Sequence, residues 1–112
     1  MNFHFEAEPD GRLLCRLEDA DGDHVIAASH LSEAREQLSA AVDGLSTGDA
    51  SECYWEDDAC EYRWMFKREN GQVKLAILRL TGVCPGYQHV AWTQEPEGQI
   101  LTSLRSAISK IN

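Results

Sequence analysis

Residues 60–80 read CEYRWMFKRENGQVKLAILRL, and this stretch decides the fold. Asn70-Gly71 at its centre is the favoured pair for a two-residue type I′ turn, in which both positions need positive φ and the backbone twist matches the flanking strands. Counting outward sets Phe66 opposite Leu75 and Trp64 opposite Ile77, cross-strand pairs worth up to ~1 kcal/mol each. The same register sets Lys67 opposite Lys74. Like charges there require an exposed pair or a slightly longer turn.

Upstream, a strand is predicted over about Ser51–Trp55, and Glu56-Asp57-Asp58-Ala59 reads as a four-residue loop that places Trp55 opposite Cys60. Cys53 and Trp55 then share a face with Tyr62, Trp64 and Phe66, so the aromatic pattern and the turn agree. Toward the N-terminus, Phe3, Phe5 and Ala7 alternate with His4, Glu6 and Glu8. Leu13, Cys15 and Leu17 alternate likewise after the turn Pro9-Asp10-Gly11. A second turn at Asp21-Gly22 leads into a third strand, about His24–Ala28. Leu31, Ala34, Leu38, Ala41, Val42 and Leu45 then recur at helical spacing, with Ser29 or Ser32 placed to cap the start and Gly44 or Gly48 to end it. Downstream of the hairpin, a loop over Thr81–Gly86 precedes a seventh strand, Tyr87–Thr93. A second helical stripe follows: Ile100, Leu101, Leu104, Ala107, Ile108 and Ile111. The predicted fold is α+β: an antiparallel, curled sheet of about seven strands with two amphipathic helices, in the order β-β-β-α-β-β-β-β-α, forming one domain over 1–112.

The apolar fraction of 43% is that of a folded chain despite a net charge of −9. That charge is uneven: residues 1–60 carry fifteen acidic and three basic side chains, residues 61–112 four and seven. An acidic molecule repels phosphate backbones, so nucleic acid is not an expected partner. No apolar run approaches the roughly 18 residues of a membrane span, and glutamates follow the first five residues where a signal peptide needs an apolar stretch. A cytoplasmic chain with reduced cysteines is expected. Of the four cysteines, Cys53 and Cys60 are the pair closest to a shared turn.

Candidate chemistry is weak at each place it is sought. Asp19, Asp21 and Asp23 resemble the opening of a calcium loop, but glycine comes at the fourth position instead of the sixth, and His30 stands where the bidentate glutamate belongs. A solvated turn is the simpler reading. His4, His24, His30 and His89 lack metal-ligand spacing, so no metal site or cofactor is predicted. Cys84 and His89 are close in sequence, which supplies neither a positioned base nor an electropositive setting for a thiolate. Glu56, Asp57 and Asp58 sit at a hairpin tip, where solvation keeps carboxylates from the split pKa values of a catalytic pair.

The central hairpin is more distinctive. Its first face carries Trp55, Tyr62, Trp64, Phe66, Leu75 and Ile77, and its second carries Met65, Ala76, Leu78 and Leu80 mixed with Arg63, Lys67 and Lys74, so residues 72–80 are apolar on both sides. Two helices on one face cannot cover the other, which calls for a strongly curled sheet, a subunit or a partner. Trp55-Glu56-Asp57 followed by Glu61-Tyr62-Arg63-Trp64 resembles a hairpin of small uncharacterised bacterial α+β proteins, some of which look like immunity proteins of toxin systems. Those proteins more often carry Pro-Gly where this chain has Ala59-Cys60, and the resemblance spans about a quarter of the chain. It implies an inhibitor-type function and assigns no residue a role.

The leading expectation is a non-enzymatic protein-binding or immunity-type module with Tyr54, Tyr87 and Trp92 as aromatic anchors and Asp57 and Asp58 as steering charges. The alternative is a small-ligand binder or enzyme with a pocket between sheet and helices near Tyr62, Trp64, Cys84 and His89. A third reading makes the uncovered sheet face a homodimer interface.

Overall fold

The computed structural model describes residues 1–58, 60–82 and 86–111. Among them the elements run β1 (Asn2–Ala7), β2 (Leu13–Asp19), β3 (Gly22–Ala28), α1 (Leu31–Gly44), β4 (Ala50–Asp57), β5 (Cys60–Glu69), β6 (Gln72–Thr81), β7 (Tyr87–Pro96) and α2 (Glu97–Ser109). Class, element order and antiparallel pairing are as expected. The seven strands divide between two meanders, β1-β2-β3 and β4-β5-β6-β7.

The β5–β6 hairpin has the register counted from its turn: Phe66 faces Leu75, Trp64 faces Ile77 and Lys67 faces Lys74. Asn70 and Gly71 take φ of 53° and 75°, the left-handed pair a type I′ turn requires. The two lysines tolerate each other because Lys67 is exposed and Lys74 Nζ lies 3.5 Å from Glu69 Oε2. The β4–β5 register is two residues tighter than the aromatic pattern suggested, with Asp57 opposite Cys60, Trp55 opposite Tyr62 and Cys53 opposite Trp64. A shift of two leaves every side chain on its face, so alternation cannot select between these registers. The tighter one extends the ladder and brings Asp57 to the side chain of Arg12, 2.8 Å away. It also separates Cys53 from Cys60, and both are free thiols, as is Cys15.

The inner faces of the two sheets meet in an aromatic layer. Trp64 lies between Phe3 and Phe66, with ring centroids 6.4 Å away on each side, and Trp55 is 5.0 Å from Trp64 and 6.1 Å from Phe5. Leu13, Leu17, Ile26, Leu75 and Ile77 complete this layer, and all are buried. Helix α1 adds Ala34, Leu38, Ala41 and Val42 as it packs along β4, while α2 adds Ile100, Leu104 and Ala107 against β1, β6 and β7. Both helical stripes are those read from the sequence.

The start of α1 differs from the expected serine cap. His30 precedes α1 without a side-chain cap. Instead the Leu31 amide donates to the Gly11 carbonyl at 2.9 Å, and the Ser29 amide to the Glu56 carbonyl at 2.8 Å. Helix α2 starts against the hairpin turn, where the Glu97 amide donates to the Gly71 carbonyl at 2.9 Å. Backbone partners thus serve the exposed amides of both helix starts.

The edges of the four-stranded sheet are also engaged. On β4 the Tyr54 amide donates to Gln37 Oε1 of α1 at 3.1 Å. On β7 the Trp92 amide donates to Asp19 Oδ2 at 3.3 Å. The same Asp19 carboxylate accepts from the amides of Asp21 and Gly22 and lies 3.1 Å from His24 Nε2. The loop that resembled a calcium site is therefore a turn whose first aspartate ties one sheet to the other.

Candidate functional site

Among the described residues, the helices and the three-stranded sheet pack on one side of β4–β7 and leave the other side bare. The register places four rows there. Glu52, Met65, Ala76 and Trp92 form one and Tyr54, Arg63, Leu78 and His89 the next; Lys67 and Lys74 lie toward one end, Glu56, Glu61, Leu80 and Tyr87 toward the other. A bulge between Ile77 and Leu78 brings Leu78 opposite His89. Tyr54, Met65, Tyr87 and Trp92 are 39%, 37%, 53% and 48% exposed, whereas Trp64, one position from Met65, is fully buried.

Arg63 organises this surface. Its Nε and Nη2 donate to Glu52 Oε2 at 3.1 and 2.7 Å, and its Nη1 donates to the Tyr87 hydroxyl at 2.9 Å. The guanidinium carbon lies 5.4 Å from the Tyr54 ring centre and 5.8 Å from that of Tyr87, within cation–π range of both. Tyr54 Oη donates to Glu52 Oε1 at 3.1 Å. The hydrogen bonds from Arg63 and then Tyr54 hold the Glu52 carboxyl below its ordinary value, and the bond to Glu52 holds the Tyr54 phenol above its own. One arginine thus fixes two exposed tyrosines from strands that do not touch. Beside this cluster, Glu52, Met65, Lys67, Lys74, Ala76 and Trp92 border a shallow depression of about 490 Å³.

Tyr54, Tyr87 and Trp92, read from the sequence as anchors, share this face. The two acidic residues named with them do not join it. Asp57 is turned toward Arg12, and the Ser29 hydroxyl donates to it at 3.4 Å. Asp58 is exposed in the β4–β5 turn. The residues of the pocket alternative are not brought together: Tyr62 and Trp64 are buried on the inner face, His89 is exposed on the outer one, and Cys84 lies outside the described residues. Burial, followed by interaction with Cys60, pushes the Tyr62 phenol up to about 12. Burial also pushes the Cys53 thiol up to about 12 and raises Cys15 further, so neither is poised as a thiolate.

Arg63 and Met65 are the surface residues that anchor selection by aromatic type missed. Their signal was present, since both alternate with buried Trp64 and so share the outward face. Among the described residues no helix is long and apolar enough to cross a membrane. Compared with family models, curated proteins and solved structures, the chain matches none.

Proposed function

We propose that this chain acts by binding a protein surface, not by chemistry on a small molecule, and that it docks through the outer face of β4–β7. The observation that carries this reading is the contrast between the molecule's two outer sheet faces. On β1–β3 the outward positions hold Asn2, His4, Glu6, Arg16, Glu18 and Asp23 with three aliphatic residues, Leu14, Val25 and Ala27, and no aromatic ring. On β4–β7 the corresponding positions set three exposed aromatic rings, Tyr54, Tyr87 and Trp92, and Met65, Ala76, Leu78 and Leu80 among charged residues. Protein interfaces are enriched in tyrosine, tryptophan, methionine and arginine, and Arg63 holds its tyrosines in place before any partner arrives. Aromatic anchors fixed in advance lose little side-chain entropy on docking.

Site-specific photocrosslinking in the cells that make the chain tests this reading. A benzophenone side chain at position 92 should yield a discrete protein adduct, while the same group at position 16, on the polar sheet, should not. Equal crosslinking from both positions, or none from position 92, would overturn it.

A further inference from the structure

The outer face differs from the rest of the molecule in charge as well as polarity. The chain carries a net charge of −9, yet the outward positions of β4–β7 hold Glu52, Glu56 and Glu61 against Arg63, Lys67 and Lys74. Acidic excess is thus absent from this face. A strongly basic partner would find its complement elsewhere on the molecule, whereas a copy of the chain would meet no net repulsion here.

The charges are also segregated along the strands. Lys67 and Lys74 pair with each other near the Asn70-Gly71 turn, and Glu56 pairs with Glu61 near the β4–β5 turn. The row midway between these ends is Cys53, Trp64, Ile77 and Ala91, all pointing inward. Resting on the docking-face reading above, we infer that the occupant of this face is a second copy of the chain, packed face to face with its strands antiparallel.

Two sheets pack face to face only through a two-fold axis lying in the interface, and aligned sheets stay within about 30° of parallel or antiparallel. An axis along the strands sets the lysine end over the lysine end of the copy. An axis across them, above the Trp64 row, sets Lys67 over Glu61 of the copy twice, by symmetry. Met65 then meets Arg63, Ala76 meets Leu78, and Trp92 meets the row of His89. The charge pattern selects the second arrangement. Four strands about 4.8 Å apart and about 30 Å long present roughly 600 Å² per copy, so the pair buries about 1,200 Å², the lower limit of a standard interface. Interfaces at this lower limit include the weak, transient ones, so association is sought across the micromolar range.

Sedimentation equilibrium over roughly 1–500 µM should show the mass rising from 12.5 kDa toward twice that value. Lys67→Glu and Glu61→Lys should each weaken association at least tenfold, and the double exchange should restore it. The Glu61→Lys arm separates pairing from bulk charge. It makes the chain two charges less acidic, so a chain governed by net charge would associate more tightly, and that result would overturn the inference. A wild-type chain that stays monomeric throughout would overturn it too. If position 92 then crosslinks a different protein, the docking-face reading survives alone; if it crosslinks nothing, both fall. Far-UV circular dichroism of each variant keeps loss of folding apart from loss of association.

Discussion

Replacing Asp19 with alanine tests whether a single carboxylate joins the two sheets. Its side chain is 3% exposed and lies 3.1 Å from His24 Nε2. It accepts from the amides of Asp21 at 2.9 Å, Gly22 at 3.1 Å and Trp92 at 3.3 Å. The Asp21 and Gly22 amides lie in an exposed turn, where water replaces the lost acceptor, so they contribute little to the difference. The His24 contact is part-buried, and the Trp92 bond, although exposed, joins the two sheets across 73 residues. At about 1–1.5 kcal/mol each, at and below the low end for bonds to a charged group, they predict a loss of about 2–3 kcal/mol. With a urea dependence of about 1–3 kcal/mol per molar, the unfolding midpoint should fall by about 1 M or more. Urea unfolding followed by tryptophan fluorescence measures this, with Asp21→Ala as the exposed control. A change below about 0.5 kcal/mol, or one equal to the control, would refute the tether.

The same carboxylate sets a pH dependence. Burial pushes Asp19 up, but the hydrogen bonds from His24 and from the amides of Asp21 and Trp92 outweigh burial and leave it below its ordinary value. A carboxylate lowered in the folded state stabilises the fold above its unfolded pKa of about 3.9, and this contribution is lost as pH falls through the folded value. The advantage of the wild-type chain over Asp19→Asn should therefore shrink as pH drops below about 4.

Gly71→Ala introduces a side chain into open space at φ 75°, so its cost is the left-handed backbone alone, about 1 kcal/mol, and thermal unfolding should show a midpoint several degrees lower. Trp64→Ala removes the fully buried ring between Phe3, Trp55 and Phe66 and should cost about 3–5 kcal/mol in urea unfolding, against a few tenths for a surface change such as Arg16→Ala. Of the three described cysteines, iodoacetamide at pH 8 should leave Cys15 and Cys53 unmodified in the folded chain while half-buried Cys60 reacts, as peptide mass mapping would show. Rapid labelling of Cys53 without denaturant would contradict the packing of β4 against β5.

What the sequence made legible is what short-range chemistry controls. Asn70-Gly71 imposes a turn, the turn fixes which residues oppose each other, and the faces of β5 and β6 follow. Features set by contacts distant along the chain were not legible. Nothing local separates β3 from β4 into different sheets, and the β4–β5 register carries a contact between Asp57 and Arg12, 45 residues apart, that no local pattern announces. Asp19 looked like a solvated turn residue because its partner Trp92 lies 73 residues away. The outer face sits between these cases. Alternation about Trp64 placed its residues correctly, but the joining of Tyr54 to Tyr87 through Arg63 required all four strands, β4 to β7, to be assembled first.

The engaged edges bear on how copies of this chain meet. An open strand edge is a template on which further strands add, the route to swapped dimers and fibrils. Here Gln37 occupies the Tyr54 amide on one margin of the larger sheet, and Asp19 occupies the Trp92 amide on the other. Growth by strand addition must first displace a side chain at either margin, which favours contacts that close over contacts that propagate. Gln37→Ala combined with Asp19→Ala would strip both guards at once and leave both margins open to strand addition.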